Sequence, residues 1–458
     1  MPRGSRMRSG RRTRRRGVAA WLSSALALAL LAGCGHSAPI APGGVPIIGT
    51  PGEIAKAAEN LGFPGFATKN TTRVGGADPI SDAAAVSQAV YVSASASSRP
   101  EVVTLVDLHS WQASLAAALF MSPPMRAPLL FTDGGSLPAA TSSALGTLAP
   151  SGSAAAGGAQ VLRVDNHADS GTLHARDVTG ANPFAIAAAI DRLQIAASGS
   201  PSAAVVVVAA DQPAYAMPAA GWAAKSGDPI LYVTRDAIPP ETVAALRAHQ
   251  HPHIYILGPP STVSQSVASG LRTLGAVKRI AGNDPVSNSI AFSRYYDGSF
   301  GWGVTDPGHG LVFANSSRPL DAAAAAPLSA SGGYGPLLLT NSSAALPSLL
   351  DGALLDIRPA YDKDPARGFY NHGWLIGDQH AISLAEQAQI DALLEIAPVN
   401  AAPPAAAPIT PAPSSIAPTP PATTPAVPTS PPGATRRRSA KARAFPVLPT
   451  SATGPGHP

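Results

Sequence analysis

Apolar residues along this chain fall into short unbroken runs and do not alternate with polar ones. Three such runs, at 102–106, 205–209 and 310–314, are each followed by an Ala-rich segment of helical length. A second apolar run then begins just after a proline. Short apolar runs joined by helices of about 10–15 residues are typical of parallel strands covered by helices on both faces. The pattern therefore predicts an α/β fold built from small three-layer units.

Two landmarks recur three times in the same order, which indicates an internal repeat. One is the proline that precedes the second apolar run, and the other is a Gly-x-Asp/Asn-Pro motif that opens each unit. The period is close to 104 residues, and each unit is predicted to contain an opening helix, a strand, an Ala-rich helix, a second strand, a further helix and a closing strand. The landmark residues are Pro128, Pro229 and Pro336 for the first and Gly76, Gly180 and Gly282 for the second.

The N-terminus has the pattern of a bacterial lipoprotein signal. Residues 1–16 contain eight arginines, an apolar run of about 15 residues follows, and the sequence Leu31-Ala32-Gly33-Cys34 ends it. That run is short for a bilayer-spanning helix of roughly 20 residues, and small residues stand at the expected cleavage point. We therefore predict that 1–33 is a signal peptide and that Cys34 is the lipidated mature N-terminus, anchored in the bilayer. Cys34 is also the only cysteine, so no disulfide is expected.

Both ends outside the repeats are predicted to be disordered. Residues 34–69 join the lipidated cysteine to the first unit through a Pro/Gly-rich linker. In 400–458, 16 of 59 residues are proline, no acidic residue occurs, and a basic cluster spans 436–443. Such a composition cannot form a packed core. The basic cluster could contact an anionic polymer or lipid headgroups, or the tail could be solvated without a partner.

The net charge of +5 comes from the chain ends. Thirteen of the 32 Lys and Arg residues lie there, and the stretch 35–399 has a net charge of −8. Long-range attraction to a polyanion is therefore absent from the body of the protein, and we expect no nucleic-acid partner.

The repeats resemble the cell wall-binding repeat 2 family, which occurs as three tandem copies on Gram-positive surface proteins. The resemblance rests on the openings Arg73-Val-Gly-Gly-Ala-Asp78 and Arg279-Ile-Ala-Gly-Asn-Asp284 and on the Ala-Pro-Leu-Leu type of strand, and it covers about 70–399. It implies three Rossmann-like α/β units around a pseudo-threefold axis and non-covalent attachment to anionic wall polymer. The predicted units are 70–176, 177–278 and 279–399.

Candidate binding residues lie where ligands usually bind in α/β units, in the loops that follow parallel strands. For each single position, helix capping is the alternative role. The two arginines of the unit openings could hold an anionic group, with an ion pair inside the unit as the alternative. The candidates are Arg73, Asp133, Ser136, Thr234, Arg235, Arg279, Thr340, Asn341 and Ser342.

The sequence gives only weak indications of a metal site or a catalytic site. Three histidines alternate just before a predicted strand: His249, His251 and His253. They could bind a metal ion, or they could simply be polar residues that precede the strand. The sequence contains no nucleophile-elbow, phosphate-loop or HExxH motif. We therefore expect no cofactor and no catalytic site.

The leading hypothesis is a non-catalytic lipoprotein on the outer face of the cytoplasmic membrane that binds anionic wall polymer or a peptidoglycan-linked glycan. An envelope lipoprotein that binds a protein partner or small ligand is the alternative, and an enzyme with an unrecognised pocket comes third.

Overall fold

The computed structural model describes residues 65–331 and 335–404. The predicted signal peptide, the predicted lipidation site at Cys34, nearly all of the predicted linker and the Pro-rich tail from 405 onward lie outside the described residues. Within them, no helix is both long and apolar enough to cross a membrane.

The first unit has the element order that its sequence predicts. Its last strand, however, leads to the second unit through a loop, without the helix that follows the corresponding strand in the other units. The elements are β1 (Gly65–Ala67), β2 (Thr71–Val74), α1 (Pro79–Val90), β3 (Val103–Asp107), α2 (Trp111–Ala117) with a 3₁₀ turn at Ala118–Met121, β4 (Leu129–Thr132), α3 (Ala139–Leu148) and β5 (Val161–Val164).

The second unit shows the full repeat. Its elements are β6 (Ala175–Val178), α4 (Pro183–Ser198), β7 (Ala204–Ala209), α5 (Pro213–Ser226), β8 (Ile230–Val233), α6 (Pro240–Ala248), β9 (His253–Leu257) and α7 (Gln265–Leu271).

The third unit carries an additional segment between its third helix and its closing strand. That segment includes a short strand that pairs with the last strand described. The elements are β10 (Ala276–Ile280), α8 (Pro285–Arg294), β11 (Gly310–Asn315), α9 (Pro319–Ala330), β12 (Leu337–Thr340), α10 (Ser348–Asp356), β13 (Ala360–Tyr361), β14 (His372–Ile376), α11 (Leu384–Leu394) and β15 (Ala397–Pro398).

Three main sheets share one strand order, and each contains a strand from the following unit. The orders are β4-β3-β5-β6, β8-β7-β9-β10 and β12-β11-β14-β2. All these neighbours are parallel, and only β1 adds to β2 in the antiparallel sense. The opening strand of unit two thus completes the sheet of unit one, and that of unit three completes the sheet of unit two. Strand β2, from the start of the fold, completes the sheet of unit three.

The Gly-x-Asp/Asn-Pro landmark is the start of each opening helix. Asp78 and Asn182 accept a hydrogen bond from the backbone N–H three residues later, and Asp284 accepts two from the first turn. A proline follows each of them at the first helical position, where its missing N–H costs nothing. The motif requires a glycine because a larger residue would clash: a Cβ on Gly180 would lie 2.4 Å from the Ile186 nitrogen.

The Ala-rich helices α2, α5 and α9 pack against one another as the central helices of the fold, and each opening helix packs on the central helix of another unit: α1 on α9, α4 on α2 and α8 on α5. Alanines 322–326 of α9 are all buried, and a Cβ on Gly221 of α5 would lie 2.7 Å from Ser329 Oγ of α9. Small side chains therefore allow these helices to approach closely. One apolar core runs through all three units. The threefold axis itself stays a prediction.

Candidate functional site

The loop after β4 is a tight turn closed by two of the candidate residues. Asp133 and Ser136 exchange backbone hydrogen bonds, and the Ser136 hydroxyl donates to the Asp133 carbonyl over 2.7 Å. Both side chains are exposed, and the Asp133 carboxylate is 3.0 Å from His109 Nε2. The structure therefore leaves this loop open to a ligand, with its acidic group already paired.

The loops after β8 and β12 are built in related ways. Thr234 and Arg235 are exposed, the Thr234 hydroxyl caps Ala237, and Arg235 donates to the Ser261 carbonyl and pairs with Asp236. In unit three Thr340 is fully buried, Asn341 is exposed, and Ser342 accepts from the Ala344 N–H. Local capping thus occupies several of these groups. No hydrogen bond or ion pair between described residues joins the three loops, which end three different sheets.

Arg73 is buried and donates to backbone carbonyls. From strand β2 its Nη1 donates to Gly377 O over 2.9 Å and to Asp378 O over 2.7 Å, and its Nη2 donates to Ile382 O over 2.7 Å. Its Nε donates to Gln387. Burial lowers the pKa of Arg73 to about 10, so the guanidinium stays charged at neutral pH.

Arg279 on β10 makes the equivalent contacts in unit two. Its Nη1 donates to Gly258 O and its Nη2 to Val263 O, each over 2.7 Å. Both arginines were predicted to hold either an anionic group or an ion pair within their own unit. In the structure they donate instead to carbonyls at the end of the closing strand of another unit, unit three for Arg73 and unit two for Arg279.

A cleft of about 330 Å³ lies between unit one and unit three, and it was not predicted from the sequence. It forms where the loop after β3 meets the loop after β11, with the start of α1 at one side. Its lining is largely apolar and includes the half-buried indole of Trp111. The lining residues are Pro79, Leu108, His109, Trp111, Ser317, Arg318, Pro319 and Leu320.

Arg318, on the cleft wall, is held by two buried carboxylates. Its Nε lies 2.5 Å from Asp321 Oδ2 on α9, the helix that follows it, and its Nη2 lies 2.8 Å from Asp82 Oδ2 on α1. Asp82 also accepts the Gly76 N–H over 2.7 Å, and Arg318 Nη1 donates to Ala77 O. This cluster joins the central helix of unit three to the opening helix of unit one.

The two carboxylates of this cluster cannot both ionise easily. Burial, followed by repulsion from Asp321, raises the pKa of Asp82, and burial likewise raises the pKa of Asp321. One proton retained by the pair at neutral pH balances the cluster, because a single guanidinium then faces a single negative charge. Arg318 is therefore not a free cation on the cleft wall.

Sequence reasoning missed the cleft because its residues come from segments about 200 residues apart. Leu108, His109 and Trp111 follow β3, whereas Ser317 to Leu320 follow β11. One signal was available: these two segments occupy the same position in the repeat, directly after the first strand of their units. The wider groove of about 460 Å³ on unit two, between α6 and α7, has no aromatic side chain in its lining.

Among the described residues, no group of three His, Cys, Asp or Glu side chains is placed to hold a metal ion. Of the three alternating histidines, His249 is buried against Asp191 at 2.9 Å, while His251 and His253 are exposed.

Comparison with known proteins shows what the second and third units are similar to. Residues 178–268 and 279–385 match the family model described as Cell wall binding domain 2 (CWB2). A curated relative, the N-acetylmuramoyl-L-alanine amidase LytC of Bacillus subtilis, is 29% identical over 167 residues, which are 36% of this chain and 31% of that protein. The match thus spans about a third of the relative's length.

Two solved structures share the fold. Cwp8 from Clostridium difficile aligns with a TM-score of 0.54 and 19% identity over 75% of this chain and 54% of that chain. Cwp6 from the same organism aligns with a TM-score of 0.57 and 15% identity over 70% of this chain and 48% of that chain.

Proposed function

We propose that this chain belongs to the Cell wall binding domain 2 family, whose model matches residues 178–268 and 279–385, and that it is an exported, non-catalytic protein whose three units bind a polymer of the cell wall. The observation that carries this proposal is the match of the two consecutive segments to one wall-binding family. Unit one lies outside the matched segments, but it has the same strand order as the other two and shares their core. All three units therefore belong to the proposed binding module.

Retention at the membrane is the second part of the proposal. Cys34 would carry the lipid, the linker 34–69 would extend from the bilayer, and the units would face the wall from the outer side of the cytoplasmic membrane. The sequence before Cys34 supports this, since the apolar run is too short to span a bilayer and ends in small residues.

The polymer would contact exposed groups. Asp133, Ser136, Thr234, Arg235 and Asn341 are exposed at the ends of parallel strands. Thr340 and Arg73 are buried in the fold, and Arg279 is partly buried. The amidase activity of LytC is a property of that protein, and the matched part covers 31% of it.

A protein partner is the second candidate, favoured by one observation. The additional segment of unit three exposes 70% of Phe369 and 53% of Tyr370, and exposed aromatic side chains are enriched at protein interfaces.

The test is co-sedimentation of the full chain, kept soluble in detergent, with purified cell walls before and after chemical removal of their anionic polymers. We expect the protein to sediment with intact walls. Loss of sedimentation after the removal would assign binding to the anionic polymer, whereas retention would assign it to the peptidoglycan glycan. A protein that stays in the supernatant with intact walls would contradict wall binding and favour the partner on unit three.

A further inference from the structure

The cleft between unit one and unit three has the size and lining of a site for one sugar ring. Its volume of about 330 Å³ lies at the lower end of the range for ligand pockets, roughly 300–1,000 Å³. Leu108, Pro79, Pro319 and Leu320 supply apolar walls, and Trp111 supplies an aromatic surface. The indole N–H of Trp111 donates to no acceptor within the described residues, so it is available to a ligand hydroxyl.

The indole is held in place by the neighbouring unit. Trp111 packs edge-on against Tyr232 of unit two, with ring centroids 5.8 Å apart, and the Tyr232 hydroxyl donates to the Gln112 carbonyl over 2.7 Å. Gln112 in turn donates to the Ala210 carbonyl. The aromatic wall is therefore fixed before a ligand arrives, which lowers the entropic cost of binding.

The charges around the cleft argue against a phosphate group as the main contact. Arg318 faces Asp82 and Asp321, and His109 faces Asp133 at 3.0 Å. The charge of Arg318 is thus balanced by its neighbours, and the His109 ring already has a hydrogen-bond partner. Arg73 and Arg279 are committed to carbonyls, and the body of the chain is net negative.

We propose that this cleft binds an uncharged pyranose ring of a wall glycan, stacked on Trp111 with its hydroxyls at the rim. The proposal rests on the proposed wall-binding function and specifies its site and ligand class. Binding through an apolar ring face and hydroxyl hydrogen bonds depends little on salt, whereas binding through phosphate contacts weakens strongly as salt rises.

The experiment titrates the full chain in detergent with the tetramer of N-acetylglucosamine and, separately, with poly(glycerol phosphate), at 50 mM and 500 mM NaCl. Tryptophan fluorescence and calorimetry follow binding. We expect the tetramer to bind with a dissociation constant that changes less than twofold between the two salt concentrations. Tighter binding of the glycerol phosphate polymer, lost at high salt, would overturn the proposal.

Two variants test whether the tetramer binds in this cleft. Trp111→Leu removes the aromatic surface, and Ser317→Tyr fills the cleft from an exposed loop position. Each is expected to weaken tetramer binding at least tenfold. The matched control is Asp211→Tyr, which places the same side chain at the equivalent exposed position of unit two. Tetramer binding unchanged in Ser317→Tyr, in a protein with the unfolding midpoint of the parent, would overturn the proposal even if Trp111→Leu failed to fold.

Wall sedimentation of the same proteins separates this proposal from the proposed function. Sedimentation that survives in Ser317→Tyr, with tetramer binding unaffected, would overturn the sugar site and leave wall binding intact. Tetramer binding that depends on Trp111 in a protein that does not sediment with walls would support the site and contradict the broader function.

Discussion

Arg73 and Arg279, 206 residues apart, make the same two hydrogen bonds in different sheets. Each stands on the opening strand of one unit. Each donates to the carbonyl of the glycine that follows the closing strand of another unit and to a carbonyl five residues later. Arg73 therefore links unit one to unit three, and Arg279 links unit three to unit two.

We expect Arg73→Ala to lower the free energy of unfolding by about 2–4 kcal/mol, since it leaves several buried carbonyls without donors. Arg279→Ala should cost less, because Arg279 is only partly buried. Urea unfolding measures both. A stable Arg73→Ala protein that had lost wall sedimentation would instead show that this arginine contacts the polymer.

The burial of Glu386 makes the stability of the fold depend on pH. Glu386 is buried near the start of α11, neither carboxylate oxygen has a hydrogen-bond partner among the described residues, and burial raises its pKa to about 8. The native state therefore holds a proton that the unfolded state releases above its ordinary pKa, so this group makes stability fall between about pH 4.5 and 8.

Glu386→Gln should remove that fall. We expect little change at pH 4.5 and a gain of about 1–3 kcal/mol at pH 8.5, the cost of an unsatisfied buried group. Urea unfolding at both pH values is the measurement. Glu395→Gln, on a partly exposed carboxylate paired with Lys69, is the matched control. A gain of equal size at the two pH values would contradict the assignment.

His249 and Asp191 form a buried pair in unit two whose stabilising effect depends on pH. Burial by itself would lower the pKa of His249, but the hydrogen bond and charge of Asp191 outweigh it, and the net pKa is raised. The stabilisation is therefore complete below about pH 6.5 and is lost as pH rises through the raised value.

We expect His249→Ala to destabilise the protein by about 3–5 kcal/mol at pH 6, since it leaves Asp191 buried and unpaired. The exposed neighbour His251→Ala is the control and should change stability by less than about 0.5 kcal/mol. Thermal unfolding at pH 6 and pH 8 would show the loss shrinking at the higher pH. Equal losses at both would contradict a charged His249.

Asp82→Asn should be tolerated near neutral pH. The carboxylate pair with Asp321 already holds a proton, and the equivalent residue of unit three, Asn288, accepts the Gly282 N–H just as Asp82 accepts that of Gly76. We expect a change below about 1 kcal/mol at pH 7. Arg318→Met should cost about 3–5 kcal/mol, because both carboxylates lose their partner. A large loss in Asp82→Asn would mean that both acids are ionised.

Local patterns predicted most of the elements. The Ala-rich segment before Lys225 and the apolar run after Pro229 became α5 and β8 within a residue or two, because pattern and capping residues act over short distances. The pairing partners of the opening strands were harder to predict. Nothing in the sequence around Arg73 indicates that its strand pairs with Trp374 and its neighbours, since pairing across units depends on the whole assembly.

The candidate residues show the same contrast between features set by local sequence and features set by the assembled fold. Exposed loop positions such as Asp133 and Arg235 lie after strands as predicted, whereas Arg73, expected to hold an anionic group or an ion pair within its unit, is buried, because charge alone does not reveal burial. Trp111 stands at the start of the Ala-rich helix of unit one, and its cleft forms only with the loop of unit three beside it.

The pairing of β2 with β14 has a consequence for biogenesis. Strand β2 is synthesised about 300 residues before β14, so the edge that β14 covers stays unpaired until nearly the whole fold has been made, although β1 already lies on the other edge. Joining segments so distant in sequence slows folding, because loop-closure entropy is lost before the contact forms. The sheet of unit three can therefore form completely only in a chain that reaches the end of β14, and a chain cut short before that point leaves one edge of β2 without its partner.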